Sequence, residues 1–381
     1  MPTLADVLIF ADTGRSPELR HEVPIVIPDP FLYIERNGSR HVVVTSFELD
    51  RVRELEVGFQ AHPYEEFGYD ELIAQGLPRG EVSLGVTVNA CKALGVETAT
   101  VPATFPLEYA DRLRGEGIEI RVDRALFDGR RRVKNAVELA GIRRAQRAAE
   151  AGMDAARDLL RRASANGAGL VVDGEPLTSE RIKVAIAAVF TARGMVTDEF
   201  IVSHGPQSAV GHDMGAGPIA PGEPVVIDLW PKDAETACYA DMTRTYCIGD
   251  VPDELRDYHR LAKESLDRSL EAVRAGARGA DVYAVSCEPF HREGHKTLLN
   301  KEPGEVIEDG YFHSLGHGVG LDVHEQPGLG RSGEELLAGD VVTLEPGLYR
   351  RGWGGCRLED LVLVTDAGAE TLTNYPYDLE P

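Results

Sequence analysis

The sequence predicts two domains: a smaller α/β layer over residues 1–130, then a larger unit of long helices and β-rich runs over residues 131–381. Three observations carry this. The chain has 381 residues, beyond the size at which a single hydrophobic core usually stops growing. Its first third alternates short β-rich runs with helical ones, the pattern of an α/β layer. At LFDGRRRVKNA the alternation stops and a much longer helical pattern begins.

In chain order, VLIF near residue 8, PIVIPDPFLYIE from Pro24 and HVVV from His41 read as strands. SLGVTVNACKALG reads as a helix and ATVPATF as a further strand. Asp128-Gly129 with Arg130, Arg131 and Arg132 predicts a polar turn, and the domain boundary is placed there. RVKNAVELAGIRRAQRAAEAGMDAARDLLRRA then carries small and apolar residues at helical spacing, which predicts a long surface helix. TSERIKVAIAAVFTARG predicts a second, with Thr178 as N-cap, Glu180 in the first turn and Gly194 as its stop. A third is expected from about Asp253 to Ala275. The β-rich runs among and after these helices are EPVVIDLW, ACYADMTRTYCI, DVVTLEPGLY and CRLEDLVLVT.

Acidic residues number 63 against 40 Lys and Arg, a formal net charge of −23. Such a surface repels nucleic acid and anionic membranes, so neither is an expected partner. The start lacks a basic segment leading into a long apolar run, and no run reaches the length of a membrane span, so the expected location is the cytoplasm. Five cysteines (Cys91, Cys238, Cys247, Cys287, Cys356) are odd in number and widely spaced, which predicts buried thiols rather than a disulfide framework.

Each of the four late β-rich runs holds an acidic residue where an apolar one is expected. Asp228 closes VVI, Asp241 lies within YADMTRT, Glu345 follows VVTL and Glu359 interrupts RLEDLVLV. Any one of them alone suits a half-exposed strand. Four together, in the half of the chain that also carries HSLGHGVGLDVHE with His313, His317 and His324, require a common cause, because an unpaired buried carboxylate is costly. A cation at their meeting point neutralises them. Four carboxylates and one imidazole make a mostly oxygen donor set with charge for two divalent ions, suited to Mn²⁺, Fe²⁺ or Co²⁺. Water shared by two such ions has a lowered pKa, so the expected chemistry is hydrolysis.

Two other histidine patterns lead elsewhere. HREGH sets His291 and His295 at i and i+4, but position 292 is Arg where a zinc-protease helix has Glu, and both are read as ordinary exposed histidines. GHGVG lacks the helix start and the acidic partner of a dinucleotide loop.

The segments VVIDLW, YADMTRT, GHGVGLDVHE, TLEPGLY and GCRLEDLVLVT resemble, in content and order, the five metal-ligand segments of the pita-bread-fold metallopeptidases, which include methionine aminopeptidase, aminopeptidase P and prolidase. The likeness is strong over about residues 132–381. The first third is similar only loosely to the small α/β domain that precedes the catalytic domain in aminopeptidase P, prolidase and creatinase. The resemblance implies an α+β, pita-bread catalytic domain behind a smaller α/β N-terminal domain. It also implies that Asp228 chelates one metal, that Asp241 and Glu359 bridge both, and that His317 and Glu345 bind the other. The implied cofactor is a pair of divalent ions, Mn²⁺ foremost, with Co²⁺, Fe²⁺ or Zn²⁺ as alternatives.

The seven-residue step from His317 to His324 looks like the family's pairing of a ligand histidine with a substrate-contacting one. His313 is similar to a third histidine of the proline-directed members, which favours the aminopeptidase P and prolidase branch. The implied reaction is cleavage of the bond before proline in small Xaa-Pro peptides by a metal-bridging hydroxide. Glu345 then carries the proton, and His324 and His313 donate to substrate and oxyanion. Family members are often homodimers, and that assembly is expected here. The rival readings are an organophosphate- or amidino-hydrolase on the same fold and a binding module without catalysis. Creatinase-type members lack the full ligand set that stands here.

The chain departs from the family at two places. Asp228 and Asp241 are thirteen residues apart rather than the usual eleven, which predicts a longer hairpin and leaves Asp233 and Glu235 as weaker rival ligands. After HEQP, where many prolidases have an arginine that contacts the substrate carboxylate, this chain has Gly328, and Arg331 is the nearest replacement. His212 resembles a histidine on the loop over the active site. Arg357, in G-x-R-x-E-D, is expected to orient a bridging carboxylate and to stand with His212 and Arg331 among the substrate-side residues. Trp230, Trp353, Tyr239 and Tyr349 flank ligand positions, where a proline pocket and core packing are both open to them.

Overall fold

The computed structural model describes residues 6–55 and 57–381, and the chain divides into two compact units, Met1–Arg131 and Arg132–Pro381. In the first unit the strands are β1 (Asp6–Ala11), β2 (Phe31–Arg36), β3 (Ser39–Val44), β4 (Phe59–Pro63), β5 (Thr98–Val101) and β6 (Glu119–Val122). They form one mixed sheet in the order β4-β3-β2-β1-β5-β6. The run VLIF is apolar at successive positions because both faces of β1 are covered. Leu8 and Phe10 pack with Val82 and Val86 of α1 (Arg79–Ala93) and Leu113 of α2 (Leu107–Gly115), while Val7 and Ile9 pack with Leu19, Val23 and Val52.

Two expectations are corrected in this unit. The strand read from Pro24 begins only at Phe31, because Pro24, Pro28 and Pro30 bring no N–H to a ladder. Asp128-Gly129 does not turn: helix α3 (Arg124–Arg132) runs through it. The side chain of Asp123 accepts the Leu126 N–H at 3.0 Å at its start, Phe127 is buried, and Arg130 reaches Glu22 at 2.8 Å and Glu35 at 2.7 Å. The arginines that read as a polar turn are thus ion-paired on a helix.

In the second unit α4 (Ala136–Arg162) starts with a capping box. The side chain of Asn135 accepts the N–H groups of Val137 and Glu138, each at 2.9 Å, and Glu138 accepts the N–H of Asn135 at 3.0 Å. Its buried stripe, Ile142, Ala145, Ala149, Met153, Ala156 and Leu160, follows the helical period. Helix α5 (Ser179–Ala192) is capped by Thr178, and Gly194 follows it at φ 70. Helix α6 (Asp253–Ala272) ends sooner than expected, and α7 (Gly279–Arg292) was not foreseen, since Gly279 and the internal Pro289 weaken its pattern. No helix among the described residues is long and apolar enough to cross a membrane, and all five cysteines are free and buried.

The strands that matter for the site are β7 (Ile201–His204), β8 (Pro224–Leu229) and β9 (Met242–Cys247), which make a three-stranded sheet with β8 central. They are followed by β10 (Gly316–Gly318), β11 (Glu325–Leu329), β12 (Val341–Leu344), β13 (Gly347–Arg350), β14 (Gly354–Arg357), β15 (Asp360–Val364) and β16 (Ala369–Thr371). A five-stranded sheet runs in the order β11-β10-β12-β15-β16, and β13 pairs with β14. One core of this unit lies under α4 and α5, the other under α6 and α7.

Candidate active site

The acidic positions sit where strands end. Asp228 is the last but one residue of β8 and lies opposite Thr243 of β9, while Asp241 immediately precedes β9. The longer hairpin between them is closed by an isolated bridge of Lys232 with Tyr239 and by Asp233. The Asp233 carboxylate accepts from the Thr236 N–H at 3.0 Å, the Thr236 hydroxyl at 2.6 Å and Arg144 at 2.7 Å. Asp233 therefore fastens the extra turn, and Glu235 is exposed beside Arg144.

Glu345 follows β12, its N–H donating to the Leu315 carbonyl at 2.8 Å, and Glu359 stands between β14 and β15 with its N–H on Thr243 at 3.1 Å. His317 is the middle residue of β10. Its glycine neighbours answer to crowding: a Cβ at Gly316 would lie 2.0 Å from the Thr343 carbonyl oxygen, and one at Gly318 would lie 2.3 Å from that of Gln326. The Gly-rich run lets the histidine strand press between two others.

These elements enclose a cavity of about 600 Å³ lined by Asp228, Asp241, Glu345, Glu359 and His317, together with His212, His313, His324 and Arg357. Ile201, Met214, Trp230, Phe312 and Val323 supply an apolar side. Arg331 is not brought there. It is exposed in the turn after β11 and lines no part of this cavity.

Asp241, His317 and Glu359 each offer a donor atom within 4.8 Å of one another, and Nε2 of His317 lies 3.6 Å from Glu345 and 3.9 Å from Asp241. Nδ1 of His317 donates to the Gly318 carbonyl at 3.1 Å, which fixes the tautomer and leaves the Nε2 lone pair facing the carboxylates. Asp228 Oδ1 and Asp241 Oδ1 are buried without a hydrogen-bond partner. Burial pushes Asp241 and Glu359 well above the usual carboxylate range, and their acidic neighbours push the same way. Glu345 rises to about 8, through burial first, with Arg357 opposing and Asp228 adding. Burial lowers His317 to about 4, which keeps its imidazole in the neutral form that binds metals.

Buried oxygens without partners, crowded carboxylates and a neutral imidazole with a directed lone pair are the fit expected of a site for divalent cations.

Arg357 holds a different place from the one expected at the substrate. Its guanidinium is buried and spent on the protein: Nη2 donates to Asp228 Oδ2 at 2.6 Å, Nη1 to the Tyr349 hydroxyl at 3.2 Å and Nε to the Thr243 hydroxyl at 3.3 Å. Thr243 in turn donates to Glu359 at 2.7 Å. Arg357 thus orients Asp228 directly and Glu359 through Thr243, leaving Asp228 Oδ1 open.

His313 is also committed. Its Nδ1–H donates to the Ser314 carbonyl at 2.8 Å, so its Nε2 must accept, and the Tyr349 hydroxyl donates to it at 2.9 Å. Burial and the Arg357 charge lower it to about 3. The expected donation to an oxyanion is therefore not available from this ring as it stands. His324 is exposed, with its ring edge-on to His317 at 4.2 Å between centroids, and His212 lies exposed on the loop at Gly211.

Thr243, Tyr349 and Phe312 are members of the site that the sequence did not single out for these roles. Of the four flanking aromatics, Trp230 lines the cavity, whereas Trp353 packs on Tyr258 and Tyr239 lies under Lys232. Thr243 stands within the quoted YADMTRT, two residues after Asp241, where alternation puts both on one face. His291 bonds Thr297 at 2.7 Å and His295 lies past the end of α7 against Tyr258, so they share no metal-binding face.

Comparison with known proteins identifies the family and the fold. Residues 140–366 match the model of metallopeptidase family M24. The Xaa-Pro dipeptidase of Pyrococcus furiosus is 34% identical over 185 residues, which are 47% of this chain and 48% of that protein. The chain spans about half the length of the curated relatives it matches. Among solved structures, the Xaa-Pro dipeptidase of Bacillus anthracis (TM-score 0.77, 22% identity) covers 98% of this chain and 94% of its own. The X-Pro aminopeptidase of Thermotoga maritima (TM-score 0.77, 22% identity) covers 98% and 97%. These likenesses establish the pita-bread fold, and the family match covers well over half of the chain: it belongs to metallopeptidase family M24.

Proposed function

We propose that the protein hydrolyses the bond before proline in Xaa-Pro peptides with a pair of divalent ions held by Asp228, Asp241, His317, Glu345 and Glu359. The observation that carries this is the pair of buried, partnerless oxygens, Asp228 Oδ1 and Asp241 Oδ1, in one cavity where Asp241 clusters with His317 and Glu359. The relatives named Xaa-Pro dipeptidase and X-Pro aminopeptidase support the substrate class. When bound, the ions, Mn²⁺ foremost with Co²⁺, Fe²⁺ or Zn²⁺ as alternatives, supply Lewis acidity and lower the pKa of water.

The chain's own groups do the rest. Glu345 takes a proton from the attacking water and delivers it to the imino nitrogen that leaves with proline. The exposed His324 donates to the substrate carbonyl, where such a donor is worth about 3 kcal/mol in the transition state, and His212 closes the same side from its loop. Trp230, Phe312 and Met214 offer the apolar wall for the proline ring. Arg357, Thr243 and Tyr349 hold the carboxylates and His313 in place. A homodimer goes with this reading and is tested by light scattering.

The decisive experiment is chelation followed by Mn²⁺ or Co²⁺ return, assayed on Ala-Pro and Ala-Pro-Ala. Activity is lost and regained, and Glu345→Ala loses turnover while keeping its circular dichroism spectrum. Cleavage indifferent to metal, or an unchanged rate in Glu345→Ala, overturns the proposal.

A further inference from the structure

The motif YADMTRT carries one more residue, which the site as described leaves unused. Arg244 follows Thr243 on β9, so it stands on the opposite face of the strand from Asp241 and Thr243 and lines no part of the cavity. It is 1% exposed. A guanidinium has five N–H donors, and each of these meets an acceptor. Nη1 donates to the main-chain carbonyls of Thr243 at 2.9 Å and Glu359 at 2.7 Å. Nη2 donates to Asp360 Oδ1 at 2.9 Å and to the Tyr375 carbonyl at 3.0 Å, and Nε to the Pro376 carbonyl at 2.8 Å. Asp360 is fully buried beside it, so the pair adds no net charge behind the ligands and acts on them through geometry.

Two of those acceptors belong to a segment without regular secondary structure, residues 373–379. It is nonetheless tied along its length. Thr373 Oγ1 accepts the Leu361 N–H at 2.9 Å, and the Asn374 N–H donates to Glu150 of α4 at 2.7 Å. His259 of α6 donates to the Tyr377 carbonyl at 2.7 Å, and the Cys247 N–H to the Leu379 carbonyl at 2.8 Å. The Tyr377 ring lies 4.5 Å from the Arg244 guanidinium, and its hydroxyl donates to Asp360. Tyr375 belongs to the core under α4 and α5 and Leu379 to the core under α6 and α7, so the segment straps the two together.

Undocking this strap takes two carbonyls from Arg244 and leaves buried N–H groups without acceptors. The guanidinium is a rigid plane, so any tilt that recovers those bonds draws Nη1 off the Glu359 carbonyl. Glu359 is held by the same strand: its N–H is on the Thr243 carbonyl at 3.1 Å, and the Thr243 hydroxyl is on its carboxylate at 2.7 Å. The aim of a ligand carboxylate therefore depends on the strap. By linkage, an ion that fixes Glu359 must in turn tighten the strap.

We propose that Arg244 is a positioning residue that couples metal binding at Glu359 to the docking of residues 373–379. This deepens the metal-site reading above and rests on it.

The test uses the full chain and Mn²⁺ alone. After chelation, Mn²⁺ affinity is measured by titration calorimetry for the wild type, for Arg244→Lys, which keeps the charge but not the planar fork, and for Tyr377→Ala, which lies outside the cavity. Both variants bind Mn²⁺ about tenfold more weakly at a temperature well below their melting points. In the wild type, saturating Mn²⁺ slows hydrogen exchange at the Asn374 and Cys247 amides about fivefold, and Arg244→Lys abolishes the slowing. A purely structural residue would lower the melting temperature and leave both the affinity and the exchange difference as they were; that result overturns the coupling. Where Arg244→Lys does not fold, Tyr377→Ala and the wild-type exchange decide by the same criteria. A wild-type chain that binds no Mn²⁺ overturns the metal-site reading itself, whereas Mn²⁺ binding with unaltered exchange at the strap overturns the coupling alone.

Discussion

Stripping the metal makes the stability of the second unit fall as pH rises from 6.5 to 8. In the metal-free fold Glu345 keeps its proton up to about 8, against 4.5 for an ordinary glutamate, and Asp241 and Glu359 are raised as well. Between those limits the native state binds protons that the unfolded chain has lost. Stability from a raised carboxylate is therefore present below the unfolded value and declines as pH climbs towards the folded one. Buried histidines oppose this at lower pH: His313 and His317, lowered to about 3 and about 4, stay neutral while the unfolded chain protonates them, so their contribution grows with pH up to 6.5. Above 6.5 the histidine contribution fades within about one pH unit, whereas the three raised carboxylates act through the whole window and set the sign of the slope.

One unit of pH is worth about 1.4 kcal/mol per proton, so Glu345 alone costs about 2 kcal/mol from pH 6.5 to 8. The assay is urea unfolding of chelated protein at the two pH values and equal ionic strength, followed by tryptophan fluorescence. Both tryptophans, Trp230 and Trp353, lie in the second unit, so the signal reports it alone. Saturating Mn²⁺ reverses the slope, because the ligands bind metal only when deprotonated. A chelated protein whose stability is flat or rising across this window refutes the crowded-carboxylate account.

Tyr349→Phe removes the hydroxyl between Arg357 and His313, leaving Arg357 Nη1 and His313 Nε2 without that partner; stability falls by about 1–3 kcal/mol, and kcat of the loaded protein drops about tenfold, equivalent to about 1.4 kcal/mol. Unchanged kinetics would show that the link plays no part in orientation. Lys134 and Glu325 form an ion pair whose side chains are 2% and 3% exposed, next to His324 in sequence. Lys134→Met leaves the carboxylate buried without its ammonium and costs about 3–5 kcal/mol in urea unfolding, part of which Glu325→Gln restores in the double variant. Asn135→Ala breaks the capping box of α4 and costs about 1–2 kcal/mol, read as a shift in the same unfolding curve; no shift would mean that the helix start is fixed by packing alone.

The acidic positions were legible because each broke a local rule, a carboxylate closing or interrupting an apolar strand, and the burden of burying it had to be met somewhere. Asp228, Asp241, Glu345 and Glu359 do line one cavity with His317. The hydrogen-bond order around them was not legible. Arg357 reaches Asp228 across 129 residues and Thr243 across 114, and His313 meets Tyr349 across 36. Such partners are chosen by the fold, and sequence spacing carries no trace of them. The same holds for the helix through Asp128-Gly129, where distant acids Glu22 and Glu35 turned a turn-forming sequence into a paired helix. Helix α7 was missed for the opposite reason, since Gly279 and Pro289 spoil a local pattern that tertiary packing restores.

The charge balance also bears on how many ions the site takes. Four ionised carboxylates face one buried guanidinium, so three negative charges stand uncompensated in a space that burial has made costly for charge. Protons compensate them in the metal-free fold, which is why the carboxylates are raised. One divalent ion still leaves a negative charge, and a negative site disfavours the oxyanion that peptide hydrolysis must develop. Two divalent ions leave a single positive charge, which favours that oxyanion. With the two ions proposed above, Arg357 would set this sum at one rather than zero, and by holding Asp228 Oδ2 it leaves Asp228 Oδ1 without a protein partner. Its guanidinium is spent on Asp228, Tyr349 and Thr243, so Arg357 acts on the charge of the ligand cluster and on its geometry rather than on the substrate.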